Sequence, residues 1–518
     1  MHTHHQLATM YLFMSLGAAA IPACSGADTD SAAGDALVTE ADAVGSVGTD
    51  AATGTTSGDA AGMQITSGTT TAVEATTDAC DEPGADPGLC GQTTVASTTS
   101  TEPPAMGEWW RQVGGPDLDV VHDLAIAMDG DIIVVGAFRG TVDFGGGSTM
   151  AALLEDAFIA RYTPDGTLRW MNHFGSTAGG FDNAQATGVA VDGAGHVLVT
   201  GTFEGTVDPG TGALVSAGKD DIFVVRYSAD GEPLWSRRSG GDGFERAGKI
   251  AADVEGNALL AGTQSSQLFV TKLDAAGGED LWFHGLGPVL NGVSDRPPVN
   301  DVATDAAGDL YIVGSFYGEA FLGGGLLESA GGNDVFLARY RGTDGAHVWS
   351  SRHGGSAKPN TGGDDALGLA VDGGNLVICG VGWGPIDMGG GVLDAPESGP
   401  VAFLARYSAL DGAHVWSRRL QSSRADRLAL SGDSMWVLGL VAPGDPSSVR
   451  IGQFDPADGA EGDQRIVPGS GELALSGDGR MHLAISFRDS LVADGEMFTA
   501  AGASDFLIGP FSNPEGGP

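Results

Sequence analysis

Beyond Glu108, four short runs of apolar and β-branched residues follow one another in a fixed order, and the order recurs seven times. Self-similarity of this kind marks a repeat architecture, which restricts the chain to stacked or ring-closed copies of one small unit. The clearest unit reads "ATGVAVDGAGHVLVTGTF" from Ala186, a Gly-rich connection, and "DDIFVVRYSADGEPLWSRR" from Asp220. Each half is two runs joined by an Asp-Gly or Gly-rich turn, the pattern of a β-hairpin, and two hairpins make one four-stranded sheet. We call the runs a, b, c and d.

Run a opens at Leu124, Gly188, Lys249, Asp301, Leu367, Arg427 and Glu472, and run b follows each time, from "DIIVVGAF" at Asp131 to "MHLAISF" at Met481. Run c spans "AFIARY" at Ala157 to "DFLIGPF" at Asp505. Run d carries Trp110, Trp170, Trp235, Trp282, Trp349 and Trp416, then degenerates to "DQRIV" at Asp463. The nearest twins, "FLARYRGTDGAHVWSSR" from Phe336 and "FLARYSALDGAHVWSRR" from Phe403, agree at 13 of 17 positions, so they read as duplicated scaffold.

The ends of the array discriminate between an open solenoid and a ring. The first run, "EWWRQVGG", is a d without a preceding a, b or c, and the last unit stops at its c. A spare strand at the start matches a missing strand at the end. A closed ring, in which the N-terminal strand completes the last blade, requires that match and removes exposed sheet edges. The expected fold is therefore all-β: a seven-bladed β-propeller of four-stranded blades, closed by the N-terminal strand and preceded by a disordered tether.

The pattern "DAFIARYTPDGTLRW" with "GVAVDGAGHVLVTG" resembles the bacterial seven-bladed β-propeller repeat family of exported lipoproteins, over about residues 107–518. The resemblance is strong in units one, two, four and five and fades in the others. It implies a fold and a location and no reaction, because folds host unrelated functions.

The N-terminus reads as an address. Leu7 to Ala23, "LATMYLFMSLGAAAIPA", has the length of a signal-peptide core and ends at Cys24 in "IPAC", which resembles a lipobox whose cysteine is lipidated. The preceding "MHTHHQ" has His where Lys or Arg is usual, and Pro22 is unusual, so an ordinary cleaved signal or an uncleaved anchor stay open. Ser25 after the cysteine suits, by the same resemblance, an outer membrane or cell-surface location. Residues 25–106 are rich in Ser, Thr, Gly, Ala and Asp and cannot bury enough apolar surface to offset ordering. The expected domains are a signal peptide at 1–24, a linker at 25–106 and the propeller at 107–518. Within the linker, Cys80 and Cys90 enclose nine residues rich in turn formers and are expected to form a local disulfide in an exported protein, with free thiols or pairing to another chain as the alternatives. Cys379, in "NLVICGVG", reads as a small apolar strand residue.

Charge excludes one class of partner. The chain has 67 acidic against 25 basic residues, and residues 1–108 hold no Lys or Arg, so residues 109–518 still carry a net charge of −28. A basic groove for nucleic acid is absent, and an acidic surface favours solubility, cations and basic partners. A monomer is expected, with a protein or polysaccharide partner at the cell surface and the membrane reached through the lipid anchor.

The recurring side chains read mainly as scaffold. Phe158, Phe223, Phe269, Phe336 and Phe403, with the Trp of run d, should fill the space between sheets. Arg161, Arg226, Lys272, Arg339 and Arg406 should lie across their blades and pair with an acid or with neighbouring carbonyls. Acids such as Asp129, Asp131, Asp305, Asp309, Asp455, Asp458, Glu461 and Asp463 form fragments of a calcium loop, but Asp and Gly also suit tight turns. Calcium is the only cofactor they raise, and no cofactor is expected. The runs "DFGGGS", "FLGGGL" and "MGGGV" lack the Lys-Ser/Thr of a phosphate loop and read as connections.

No nucleophile-elbow or zincin motif occurs, and no catalytic residue is assigned. The a–b and c–d turns share one face of the ring and are short, whereas the longer b–c and d–a connections share the other, where recognition tends to reside. On that face, in blades four and five, Arg296, Lys358, Asp364, Asp365 and Trp383 are the candidate ligand contacts. The expected function is a surface-anchored binding or scaffolding module. A purely structural spacer is one alternative, and an exported polysaccharide-acting enzyme the other; clustered channel acids with a perturbed pKa would favour the enzyme.

Overall fold

The computed structural model describes residues 109–511, except 152–153, 177–182, 265–266, 289–297, 357–362, 394–398, 442–447 and 494–495. Cys24, Cys80, Cys90, the linker, Arg296 and Lys358 lie outside the described residues. Among the described residues the regular structure is entirely strand, in seven four-stranded sheets and five two-stranded ones. Each of the first six sheets has the order a-b-c-d, all antiparallel. The inner strands a are Asp119–Ile126, Ala184–Val191, Arg246–Ala252, Val299–Thr304, Asp365–Asp372, Arg424–Ser431 and Ser470–Leu475.

Blade seven is completed as the strand count requires. Its strands Ser470–Leu475, Met481–Phe487 and Asp505–Phe511 are joined at the outside by Arg111–Val113, with Arg111 opposite Ile508 and Val113 opposite Phe506. Inner strands of every neighbouring pair touch, including blades seven and one, so the ring is closed. Strand a begins several residues earlier than the alternation indicated. In six blades a β-bulge breaks the alternation, as between Val121 and Asp123 or Ala425 and Arg427, and the sequence pattern is legible only past it.

The apolar core is not one cluster but seven, each spanning one junction between neighbouring blades. Phe158, Phe223, Phe336 and Phe403 are fully buried in them, as expected of sheet-to-sheet fillers. Cys379 lies in the cluster between blades five and six, with its thiol toward the Ala425 carbonyl at 3.7 Å.

Two polar devices repeat along the seams. In the first, the cation of strand c pairs with an acid or amide near its own a–b turn and donates to a turn carbonyl of the next blade. Arg161 bonds Asp131 at 2.6 Å and Gly195 O at 2.9 Å; Lys272 bonds Asp253 at 2.7 Å and Gly342 O at 3.0 Å. Arg226 repeats this with Asp192 and Gly256 O, Arg339 with Asp309 and Ala409 O, and Arg406 with Asn375 and Pro456 O. The expected local pairing is present, and each cation is in addition a staple between blades.

In the second device the indole of strand d donates to the c–d turn of the following blade. Trp170, Trp235, Trp282, Trp349 and Trp416 reach Ala229 O, Ala275 O, Gly342 O, Ala409 O and Pro456 O at 2.8–3.3 Å. The N-terminal member of this set is Trp109, which donates to Pro164 O at 2.8 Å, not Trp110. The sequence pattern assigned Trp110, one residue out of register: extending the Arg111–Ile508 pairing places Trp109 beside Pro510. Each ring also covers a left-handed glycine of the same turn. At Gly412, with φ of +71°, an added Cβ would stand 2.9 Å from Trp349.

The b–c connections of blades one, two, four, five and seven hold a small extra hairpin, for example Glu319–Phe321 with Leu326–Glu328 and Ile386–Asp387 with Val392–Leu393. The glycine runs are their turns. Asp387 accepts from Gly389 N and Gly391 N at 2.8 and 3.0 Å, and Asp143 serves its hairpin likewise. A buried strand-c tyrosine fixes each glycine turn from beneath: Tyr162 to Phe144 O, Tyr340 to Leu322 O and Tyr407 to Met388 O, at 2.8–3.0 Å.

Candidate functional site at the propeller axis

The bulge in strand a turns successive side chains toward the axis of the ring. The residue just past it is Asp123, Gly188, Asp301, Gly368 and Arg427 in blades one, two, four, five and six; Lys249 holds the matching place inside the wider break of blade three, and Glu472 lies opposite Ala484 at the corresponding register of the unbulged seventh strand. Unlike the seam positions, this column changes from blade to blade. Blades one to three and four to six share the series acid, glycine, base, and blade seven adds a further acid.

The column is a bonded network. Lys249 Nζ reaches Asp123 Oδ1 at 2.9 Å and His122 O at 2.6 Å, joining blades three and one across the intervening blade. Arg427 holds Glu472 through two bonds, one of 2.7 Å. Asp123 Oδ2 accepts the Val189 amide at 2.7 Å, and Asp301 Oδ2 accepts the Leu369 amide at 2.8 Å. Those amides follow Gly188 and Gly368, where a Cβ would stand 3.1 and 3.4 Å from the Cα of Lys249 and Arg427. The glycines therefore admit the neighbouring strands that carry the bases.

Burial dominates the electrostatics. It raises the Asp301 carboxyl to about 7 against the opposing pull of Lys249 and Arg427, and raises Asp123 as well. Burial also lowers His122, despite its bond to Ala186 O at 3.0 Å. Asp123 and Lys249 keep 16 and 14 % of their side-chain surface, so the network is largely enclosed. Three acids face two bases. The channel thus has the clustered, perturbed acids named above as favouring an enzyme, but with cations built among them.

The loop residues chosen from sequence fall elsewhere. Asp364 is buried, accepts from Gly355 N at 2.6 Å and Trp383 N at 3.0 Å, and is raised by burial to about 6. Asp365 opens strand a of blade five and accepts from Asn300 Nδ2 at 2.6 Å. Trp383 ends strand b of that blade opposite Pro400. These three cluster at one blade, and the axial column was not singled out, although its residues open most of the aligned a runs. The turn acids weighed for calcium are engaged otherwise: Asp129 and Asp131 by Arg161, Asp309 by Arg339, and Asp455 and Asp458 by the amides of Ala457 and Ala460.

No family model matches the chain. Regulatory protein FlaEY of Caulobacter vibrioides is 26% identical over 283 residues, which cover 49% of this chain and 29% of that protein. The chain thus matches less than a third of that relative's length. Among solved structures, BamB from Moraxella catarrhalis is 13% identical, covering 77% of this chain and 97% of that one with a TM-score of 0.36. U3-55K is 11% identical, covering 78% and 98% with a TM-score of 0.44. Quinohemoprotein alcohol dehydrogenase from Comamonas testosteroni is 11% identical, covering 79% and 78% with a TM-score of 0.41. The seven-bladed assignment stands on this chain's own sheets.

Proposed function

We propose that the chain is an exported, lipid-anchored propeller that binds a polypeptide at the outer membrane or cell surface and acts there as a scaffold. One observation carries the polypeptide reading: each of the five small hairpins keeps a large apolar residue exposed among its polar ones. Met150, Val215, Leu326, Val392 and Met497 are 54–70 % exposed at the outward positions of five hairpins, and Phe321 is 44 % exposed beside Leu326. Repeated apolar exposure on one face, rimmed by polar loops, is the pattern of a protein contact surface.

A photo-crosslinking residue at Val392 or Leu326 should capture a polypeptide in intact cells, while one at Leu234, exposed on an outer strand, should not. Equal capture from both positions, or none from the hairpins, contradicts the reading. Cys24→Ala should release the protein from the membrane fraction, and unchanged fractionation removes the anchor. A second reading, an exported enzyme working at the axis, is favoured by Asp301 alone. Hydrolysis of surface polysaccharide that Asp301→Asn abolishes would support it.

A further inference from the structure

The five staples define a socket, and at two seams the strand-c cation is replaced, by Gln453 between blades six and seven and by Pro510 between blades seven and one. At each stapled seam a strand-c cation lies between a polar side chain near its own a–b turn and carbonyls of the next blade's turns. In blade one that cation is Arg161, paired in register with Ile133; the equivalent pair in blade seven is Pro510 with His482. Proline offers no cation and, unlike Gln453, no side-chain donor; in the a–b turn Asp478 stands at the place of Asp129, while Arg480 and Ser476 stand at the places of Asp131 and Asp192. Asp478 and Ser476 stand in the a–b turn of blade seven, and Gly130 and Pro164 belong to the facing turns of blade one. Gly130 is the counterpart of Gly195, and Pro164 of Ala229, both of which accept from Arg161. The space is a cavity of about 630 Å³ whose walls also include Met481 and Phe511.

A second observation marks this cavity as built to receive a group. His482 is 5 % exposed on its wall, at a position where other blades carry apolar residues such as Ile133 and Leu198, and its Nδ1 has no partner among the described residues. Burial lowers His482 to about 4, so a neutral ring faces the cavity at pH 7. Arg480 does not substitute for the missing staple. It meets Asp478 at 3.4 Å with both side chains more than half exposed, a surface contact of little strength.

We propose that this socket binds an arginine side chain of a partner polypeptide, its guanidinium between Asp478 and the Gly130 and Pro164 carbonyls, its stem against Met481 and Phe511. The geometry is that of the internal staples with the cation supplied in trans. The net charge of −28 on residues 109–518 steers such a partner toward the ring. The socket opens on the a–b/c–d face, opposite the small hairpins, and is independent of the hairpin-face reading.

The test uses the full chain, with Nα-acetyl-arginine-N-methylamide as probe and the norleucine analogue as control. The Trp109 indole N–H, which bonds Pro164 O, is the NMR reporter. A saturable shift with the arginine probe and none with norleucine is expected. Asp478→Asn, at an exposed position, should weaken binding about tenfold, the worth of one hydrogen bond to a charged group. Pro510→Arg should fill the socket in cis and abolish binding. An unmoved Trp109 signal, undiminished binding by the Pro510→Arg protein, or binding only after Arg480→Ala would overturn the proposal.

Discussion

Gly412 shows why a turn glycine in this chain answers to more than its own backbone. Its left-handed φ fits the Asp-Gly turn read from sequence, but the Trp349 ring laid over it belongs to the preceding blade, and only the folded ring reveals that partner. Gly412→Ala should cost about 1–3 kcal/mol through strain and overpacking. Combined with Trp349→Ala the losses should fall short of additive, because both remove one contact. Urea midpoints of the four proteins check this; additive losses would separate the two residues. Asp301 makes a different residue-scale prediction. Its folded-state pKa of about 7 exceeds the unfolded value near 4, so the folded chain keeps a proton that the unfolded chain has released between those limits. Stability contributed by this group therefore falls as pH rises from about 4 to 7 and then stays low. Relative to the parent protein, Asp301→Asn should gain stability between pH 5 and pH 8. An equal difference in urea midpoint at both values would show that Asp301 titrates normally.

At the scale of elements, legibility followed element length and regularity. Strands b and c, with seven-residue stretches of buried β-branched and aromatic side chains such as Ile132–Phe138, were plain in the sequence. Strand a was legible only past its bulge, since two residues facing one partner break the alternation that identifies a strand. The small hairpins were not legible as strands, because arms of two or three residues leave no period to read; their glycine turns were. Nor did the sequence disclose which acid each strand-c arginine meets, because the pairing partners lie 30 or more residues away. The Tyr340 hydroxyl, bonded to Leu322 O, is the buried clamp of the blade-four hairpin. Tyr340→Phe should lose about 1 kcal/mol and speed amide exchange across the Glu319–Glu328 pairing. Exchange at the parent rate would mean the hairpin is held by its own turn.

For the whole molecule, the count of strands was enough to give the number of blades and the manner of closure, since each copy states its own strands and the ends must balance. What sets one blade apart from another was less visible. The axial series from Asp123 to Glu472 and the Pro510 socket emerge only when seven copies are superposed in three dimensions, where a departure from the strand-c cation becomes a missing staple. Closure by residues 111–113 is the claim on which seams, axis and socket all depend. Its direct test is thermal unfolding of the full chain lacking residues 107–114. Loss of the outer strand of blade seven, with its two half-buried tryptophans and the Trp109 bond, should lower the midpoint by several degrees. A peptide spanning the deleted residues should restore it in trans. An unchanged midpoint would contradict closure by that strand.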